Sequence, residues 1–541
     1  MSGANTNRPS TLPRLLLRNA RTFAGNTAIR EKRSGIWQAM TWAEHCEATL
    51  ALARGLAALG FARGDRLAVL GDNRRALYRA QLAAMMLGGA VVPCWPDADT
   101  EWLARVLRDA GVSIVVAEDQ DQVGKLLDIK GRLPALREIV FTDQRGVTHD
   151  HLPFIRSAID AVAVGAGCKT DIAASIEAGA PDDVCVICYM TPAAGPPVAV
   201  PLTHAHLIGA AQAVNKSADI RPTDEYFAYL PMAWVAEVVY GTALPLLVGF
   251  ACSCPEDPET ARRDLRELGP TILLAPPRIW QSLLSEIESK AAHATPLKRR
   301  LCATFLPAAY SATPPARSGF FGEWLINAPL RDQLGLGRLR WAHSGGLIVA
   351  PHVLNFFRAL GIMLSQGLSL AEEAGLAPLF TDAPAPIALA DGTIGDARAI
   401  ATALCHNAYI ADAVLLEGAG NQLGALIAID ATAVGDWAQD HNLPYTSVAE
   451  LVALPDVRAL VNEQVARANA ALPAKQRIHR YRLLAAPPAT TNAEASLSRI
   501  LQRRLAREEE MSLPGNMFED PPAPGVEIVS NPSATRRELA A

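Results

Sequence analysis

The residues best suited to chemistry lie between Tyr189 and His204, in the order Tyr-Met-Thr-Pro-Ala-Ala-Gly-Pro-Pro-Val-Ala-Val-Pro-Leu-Thr-His. Before them, Val184 to Cys188 is an apolar, β-branched run that reads as a buried strand. After them, His204 to Val214 has helical spacing. A strand–loop–helix connection of this kind can converge backbone N–H groups and a helix N-terminus on an anion, which is how α/β proteins hold phosphate. The side chains in the loop pull the other way. Hydroxyls donate to phosphate oxygens and Lys supplies a point charge, yet Ala193, Ala194 and Val198 offer neither, and Pro192 has no N–H to give.

Other constellations carry less. Cys185-x-x-Cys188 puts two thiols on opposite sides of a strand, and no second pair completes a zinc site, so buried structural cysteine is the reading there and at Cys252-x-Cys254. His204-x-His206 has no carboxylate nearby in sequence. Ser344 follows His343 without the G-x-S-x-G elbow of a hydrolase nucleophile.

The elements around the loop follow an α/β order. Leu12-Pro13-Arg14-Leu15 starts a helix, and Thr41 is placed to cap a helix running from Trp42 towards Gly60. Leu67 to Leu70 reads as a strand, Gly71-Asp72-Asn73-Arg74 as the cap of the next helix, and Ala90 to Pro93 as another strand. Val112 to Val116 continues a strand–helix–strand alternation suited to a doubly wound parallel sheet. Residues 151–180 read as a connection between sheets. Tyr226 to Cys254 is apolar except for Glu237, but Pro231 and Pro245 interrupt it, so it reads as buried core rather than a membrane span.

With 541 residues the chain exceeds one compact core, and two to four units are expected. Lys and Arg number 50 against 55 Asp and Glu, a net charge of −5 without a basic block, which argues against a nucleic-acid partner. Nine cysteines without a disulfide framework point to the cytoplasm.

The Tyr189–His204 stretch resembles, without a gap, the phosphate loop of AMP-forming acyl-CoA synthetases, Y-T-S-G-T-T-G-x-P-K-G-V-M-L-T-H. Tyr189, Gly195, Pro197, Val200, Leu202, Thr203 and His204 match, with Thr191 in place of Ser. Pro192 stands for a Gly, Ala193 and Ala194 for the paired Thr, and Val198 for the Lys. Leu230-Pro231-Met232-Ala233-Trp234-Val235-Ala236-Glu237 resembles L-P-x-x-H-x-x-E, with Trp234 in place of a His that in the family sits near the acyl and nucleotide pocket. His343-Ser344-Gly345-Gly346 resembles S-G-G-A, whose backbone lies against adenine in the family. Gln366-Gly367-Leu368-Ser369-Leu370-Ala371-Glu372 aligns with Q-G-Y-G-L-T-E; Leu368 and Ala371 lose the stacking Tyr and the phosphate-contacting Thr, while Glu372 keeps the Mg²⁺ ligand. Ser496-Leu497-Ser498-Arg499 resembles T-x-x-K, with Arg499 in place of the adenylation Lys.

The resemblance therefore implies Glu372 and Arg499 as catalytic residues, with Glu372 also the metal ligand. It implies Thr191, Gly195, Thr203, Ser344, Gly345, Gly346, Gln366 and Gly367 as the nucleotide-binding set. ATP or AMP, Mg²⁺ and CoA are the implied cofactors. A fatty acid or acyl-CoA is the implied partner, with a homo- or hetero-oligomer including a related ligase as a further possibility, and no membrane span.

Between Glu372 and residue 400 only an Ala/Pro-rich passage stands where the family has a β-rich subdomain. Tyr409 to Val414, Leu423 to Asp430 and the helix Val457 to Leu472 resemble the C-terminal domain of the long-chain subgroup. The implied fold is α/β: two doubly wound sheet subdomains with the third subdomain reduced or missing, spanning 1–390, then a small α+β C-terminal domain over 391–510 and a disordered tail over 511–541. The implied function is that of a divergent long-chain fatty acid–CoA ligase with weak or lost adenylation; the alternative is a non-catalytic scaffold that binds acyl-CoA or a paralogous ligase.

Overall fold

The computed structural model describes residues 11–147, 152–190, 196–292, 327–345, 349, 351–366, 386–388, 394–405, 407, 409–417, 422–484 and 526–529. Its strands, in chain order, are β1 (Thr27–Arg33), β2 (Ile36–Thr41), β3 (Arg66–Leu70), β4 (Ala90–Cys94), β5 (Ile114–Ala117), β6 (Glu138–Phe141), β7 (Ile155–Ser157), β8 (Val184–Met190) and β9 (Val198–Thr203). There follow β10 (Glu225–Phe227), β11 (Ala251–Cys254), β12 (Ile272–Ala275), β13 (Trp341–Ser344), β14 (Leu364–Gln366), β15 (Pro386–Ala388) and β16 (Ile394–Asp396). The last four are β17 (Ile410–Glu417), β18 (Leu423–Ile429), β19 (Ile478–Leu484) and β20 (Val526–Ile528).

Two seven-stranded sheets dominate. The first runs β7-β6-β5-β3-β4-β8-β9 and the second β14-β13-β12-β10-β11-β1-β2. Each has a five-stranded parallel block in the same winding, β4-β3-β5-β6-β7 and β11-β10-β12-β13-β14, flanked by an antiparallel hairpin. In both blocks the chain steps one way from the founding strand and then returns on its other side, so each sheet has a switch point where ligands can enter at the carboxyl ends.

The apolar runs read from sequence account for the strands. β3, β4 and β5 are buried along almost their whole length, as strands covered on both faces must be. Thr41 caps the helix Trp42–Ala58 in a capping box: Glu44 N donates to Thr41 Oγ1 (3.3 Å) and Thr41 N donates to Glu44 Oε2 (2.8 Å). The helix Arg75–Met86 is capped differently from expectation, because no side chain of residues 71–74 does it. The Glu31 carboxylate on β1 accepts the Arg75 N–H instead (2.9 Å). Residues 151–180 also differ from the expected connection. They supply β7 at the edge of the first sheet and the helix Ala158–Gly165, which packs its Ala161 and Gly165 against Gly55.

The helices 12–22, 42–58, 75–86 and 204–218 lie in a core shared by the two sheets. Leu67, Val69 and Val91 reach it from one side, and Tyr226, Cys252, Ile272 and Leu274 from the other. The segment 226–254 includes β10, a π-helical turn over Val238–Ala243, the short helix Leu244–Val248 and β11, each contributing residues to that core. Among the described residues no helix is long and apolar enough to cross a membrane.

The C-terminal sheet runs β17-β18-β19-β20, with β18 and β19 parallel and the outer pairs antiparallel. Ile400 and Leu404 of the helix Ala397–Leu404 join its core, beside Val457, Val461 and Val465 of the helix Pro455–Ala471. Val526–Ile528 lies in the stretch expected to be disordered, yet it pairs with Arg480–Arg482. Between the large and small units, Arg278 meets Asp430 at 3.5 Å.

Candidate functional site

The carboxyl edge of the second sheet gathers the segments the sequence singled out. Its switch point lies between β10 and β12, and there the Tyr229 hydroxyl donates across the gap to the Leu274 carbonyl (3.2 Å). The chain then turns through Pro231, whose carbonyl accepts from Trp234 N (2.9 Å). Gly345 emerges from β13 beside it, its N–H donating to the Ala275 carbonyl (3.3 Å).

Trp234 occupies the side of Gly345 from which a side chain would project. A Cβ placed there would lie 3.1 Å from Trp234 Cη2 and 3.4 Å from both Trp234 Cζ2 and Leu274 Cδ1. The half-buried indole is packed against the shared core and also against the outer core of the first sheet. A purine laid on the Gly345 backbone needs that surface bare, because van der Waals contact admits one flat group and not two. A nucleotide base therefore cannot stack on that side of Gly345 while Trp234 holds this position.

Ser344 and Gln366 pair across β13 and β14 at the same edge. The Ser344 side chain is fully buried, and its hydroxyl has no partner among the described residues. Thr203 is elsewhere. It pairs with Val184 at the amino end of β8, a strand-length of about 20 Å from the loop that follows Met190. Its hydroxyl accepts from His206 N (3.2 Å) as the cap of the helix His204–Ala218, and His206 Nδ1 accepts from Thr203 N (3.3 Å). Thr203, implied for the nucleotide set, is placed here as a helix cap. His204 is buried, its Nδ1 accepts from Leu12 N (3.3 Å), and burial lowers its pKa to about 4. Thr191, Gly195, Gly346, Gly367, Glu372 and Arg499 lie outside the described residues.

At the position of the loop Lys, Val198 opens β9 and is 51 % exposed. Tyr189 has a structural role, its hydroxyl donating to Asp109 Oδ2 (2.6 Å). Arg340 stands just before β13 at the opposite end of the sheet and is bound to both oxygens of Asp224 (2.5 Å each). Cys185 and Cys188 are buried thiols, and burial pushes Cys188 up to about 12. Among the described residues no group of three or more His, Cys, Asp or Glu is arranged to hold a metal ion.

One group was given no role in the sequence reading. Glu237 is buried between the sheets, where its Oε1 accepts from the Tyr78 hydroxyl (2.6 Å) and Asn73 Nδ2 (3.3 Å) and its Oε2 bonds the Tyr226 hydroxyl (2.7 Å). Burial raises its pKa to about 8, against the opposing pull of the two tyrosines. The available signal was a single acid in an otherwise apolar stretch.

The fold is shared with solved adenylation domains. The A domain of a carboxylic acid reductase from Segniliparus rugosus, solved in complex with AMP and a co-purified carboxylic acid, superposes with a TM-score of 0.69 over 94% of this chain and 94% of its own, at 15% identity. Residues 16–424 match the AMP-binding enzyme family, and the chain belongs to that family. Among curated relatives, the long-chain-fatty-acid–CoA ligase ACSBG2 of Xenopus laevis is 22% identical over 384 residues, 68% of this chain and 52% of that protein. The long-chain-fatty-acid–CoA ligase ACSBG1 of Mus musculus is 23% identical over 395 residues, 70% of this chain and 54% of that protein. The chain spans about half the length of these curated relatives.

Proposed function

We propose that the chain is a divergent homologue of AMP-forming fatty acid–CoA ligases in which acyl adenylation is weak or lost. The observation that carries the reading is the Trp234 indole seated on Gly345, at the edge where the resemblance puts adenine. The loop supports it from another direction. Val198 removes a cation, Ala193 and Ala194 remove two hydroxyls, and Leu368 and Ala371 remove a stacking ring and a third hydroxyl. Adenylation places an acyl carboxylate against the α-phosphorus of ATP, and its transition state needs charge stabilisation on the phosphates. Loss of one such group costs ~3 kcal/mol, about a hundredfold in rate. Losses within one site do not add, yet several together bring turnover towards background.

ATP or AMP, Mg²⁺, CoA and a fatty acid are the ligands this family membership brings into consideration, with Glu372 and Arg499 as the retained catalytic candidates. The test is pyrophosphate exchange by the purified protein over fatty acids of graded length. The expected result is exchange no faster than a heat-inactivated control at every length. Robust, magnesium-dependent exchange with any of them overturns the proposal.

A further inference from the structure

Glu237 and Trp234 belong to one local unit. The Trp234 carbonyl accepts from Glu237 N (2.9 Å) and Val238 N (3.2 Å), so the turn that starts at Trp234 ends on the buried carboxyl. A π-helical turn follows at once, over Val238–Ala243. Wide turns of this kind are rare and concentrate at functional sites. Its width is filled from inside: any Cβ on Gly241 would collide with Glu237 Oε1 and come within 2.7 Å of the Tyr78 hydroxyl. The carboxyl thus lies against the inside of the π-helical turn, one hydrogen-bonded turn of chain away from the indole.

The partners come from separate elements. Asn73 and Tyr78 belong to the segment after β3 in the first sheet, and Tyr226 belongs to β10 in the second. Cys252 faces the group from β11 with Cys254 beside it, both buried. No Lys, Arg or His forms an ion pair with Glu237 among the described residues, so its ionised form would be an anion in a dry core without a counter-charge.

We infer that Glu237 is the positioning residue that seats the Trp234 indole on Gly345, acting through the turn that joins them. This rests on the reading of Trp234 as the group that keeps nucleotide off that edge. A neutral carboxyl suits the clamp because it leaves no charge in the apolar core while its oxygens accept from Tyr78, Tyr226 and Asn73. Ionisation places an unpaired charge in that core, which draws in water and unseats the turn. A Gln in the same place keeps one acceptor and one donor and cannot ionise.

The test uses full-length protein labelled with 5-fluorotryptophan, with the Trp234 ¹⁹F resonance assigned by its disappearance in W234F. It is followed from about pH 6 to about pH 9.5 in wild type and in E237Q, with E237L measured at neutral pH. The expected result is a wild-type Trp234 resonance that moves with a midpoint near pH 8, an E237Q resonance that stays at the low-pH position, and an E237L resonance at the high-pH position. An E237Q resonance that titrates like wild type overturns the inference even if E237L fails to fold. A wild-type resonance that does not move overturns it as well. Calorimetry of wild type with Mg·ATP separates the two readings. Tight binding with the resonance unmoved defeats Trp234 as the obstacle and leaves its dependence on Glu237 standing; absence of binding with a Glu237-independent resonance defeats only the positioning role.

Discussion

Replacing Glu237 by Gln should change the pH dependence of stability in a way that can be worked out beforehand. The carboxyl is raised from its ordinary 4.5 to about 8 by burial. Between those values the native state holds a proton that the unfolded chain has released, so stability falls as pH rises, and the contribution is fully present only below 4.5. Each pH unit in that window removes about 1.4 kcal/mol, which sums to about 5 kcal/mol by the upper end and no more beyond it. This sign is opposite to that of a carboxylate held in an ion pair. Urea unfolding of wild type and E237Q, at matched pH values across the window, gives a difference curve in which every other titrating group cancels. The expected curve declines from acid to neutral pH, with wild type losing its advantage to E237Q, and flattens above about pH 8. Parallel curves would show that Glu237 is ionised in the native state and that the buried clamp is wrongly described.

Two further outcomes follow from other parts of the molecule. Lys32 is buried with its amine 2.8 Å from Asp264 and 2.5 Å from Glu267; K32M leaves the buried Asp264 its bonds from Glu256 N and the Thr260 hydroxyl but, among the described residues, no cation nearer than Arg263 at 4.0 Å, and should cost about 3–5 kcal/mol by urea unfolding. A loss below about 1 kcal/mol would place that pair in the class of weak surface bridges. Ending the chain at residue 525 removes β20, so amide exchange along residues 479–482 should accelerate while β10 to β14 exchange as before; unchanged protection of β19 would mean that the pairing contributes nothing.

Much of this fold could be read from residues alone, and the exceptions share a cause. Continuous apolar runs such as Leu67–Leu70 and Ile272–Ala275 became strands because nothing but burial on both faces suits them. The Thr41 capping box was equally local. β7 and β20 escaped because three residues carry no periodicity, and each exists through the edge of a neighbouring strand. The cap of Arg75–Met86 escaped because it comes from Glu31 on another sheet. At the site, Thr203 stands near the loop in sequence, but the β8–β9 hairpin carries it to the far end, a separation no linear motif records. The loss of the His at Trp234 was legible. Its meeting with Gly345 was not, because two distant strands must first lie side by side.

The core common to both large sheets has a consequence for how the chain can be divided. Arg74 grips Glu118 of one sheet (2.6 Å) and the Pro255 carbonyl beside the other (3.0 Å), and the apolar faces of both meet the same helices. Though the two halves repeat one winding, neither is a portable module. A gene fragment encoding either would present a wide greasy face with nothing to cover it, so the pair must melt, be degraded and be inherited as one piece.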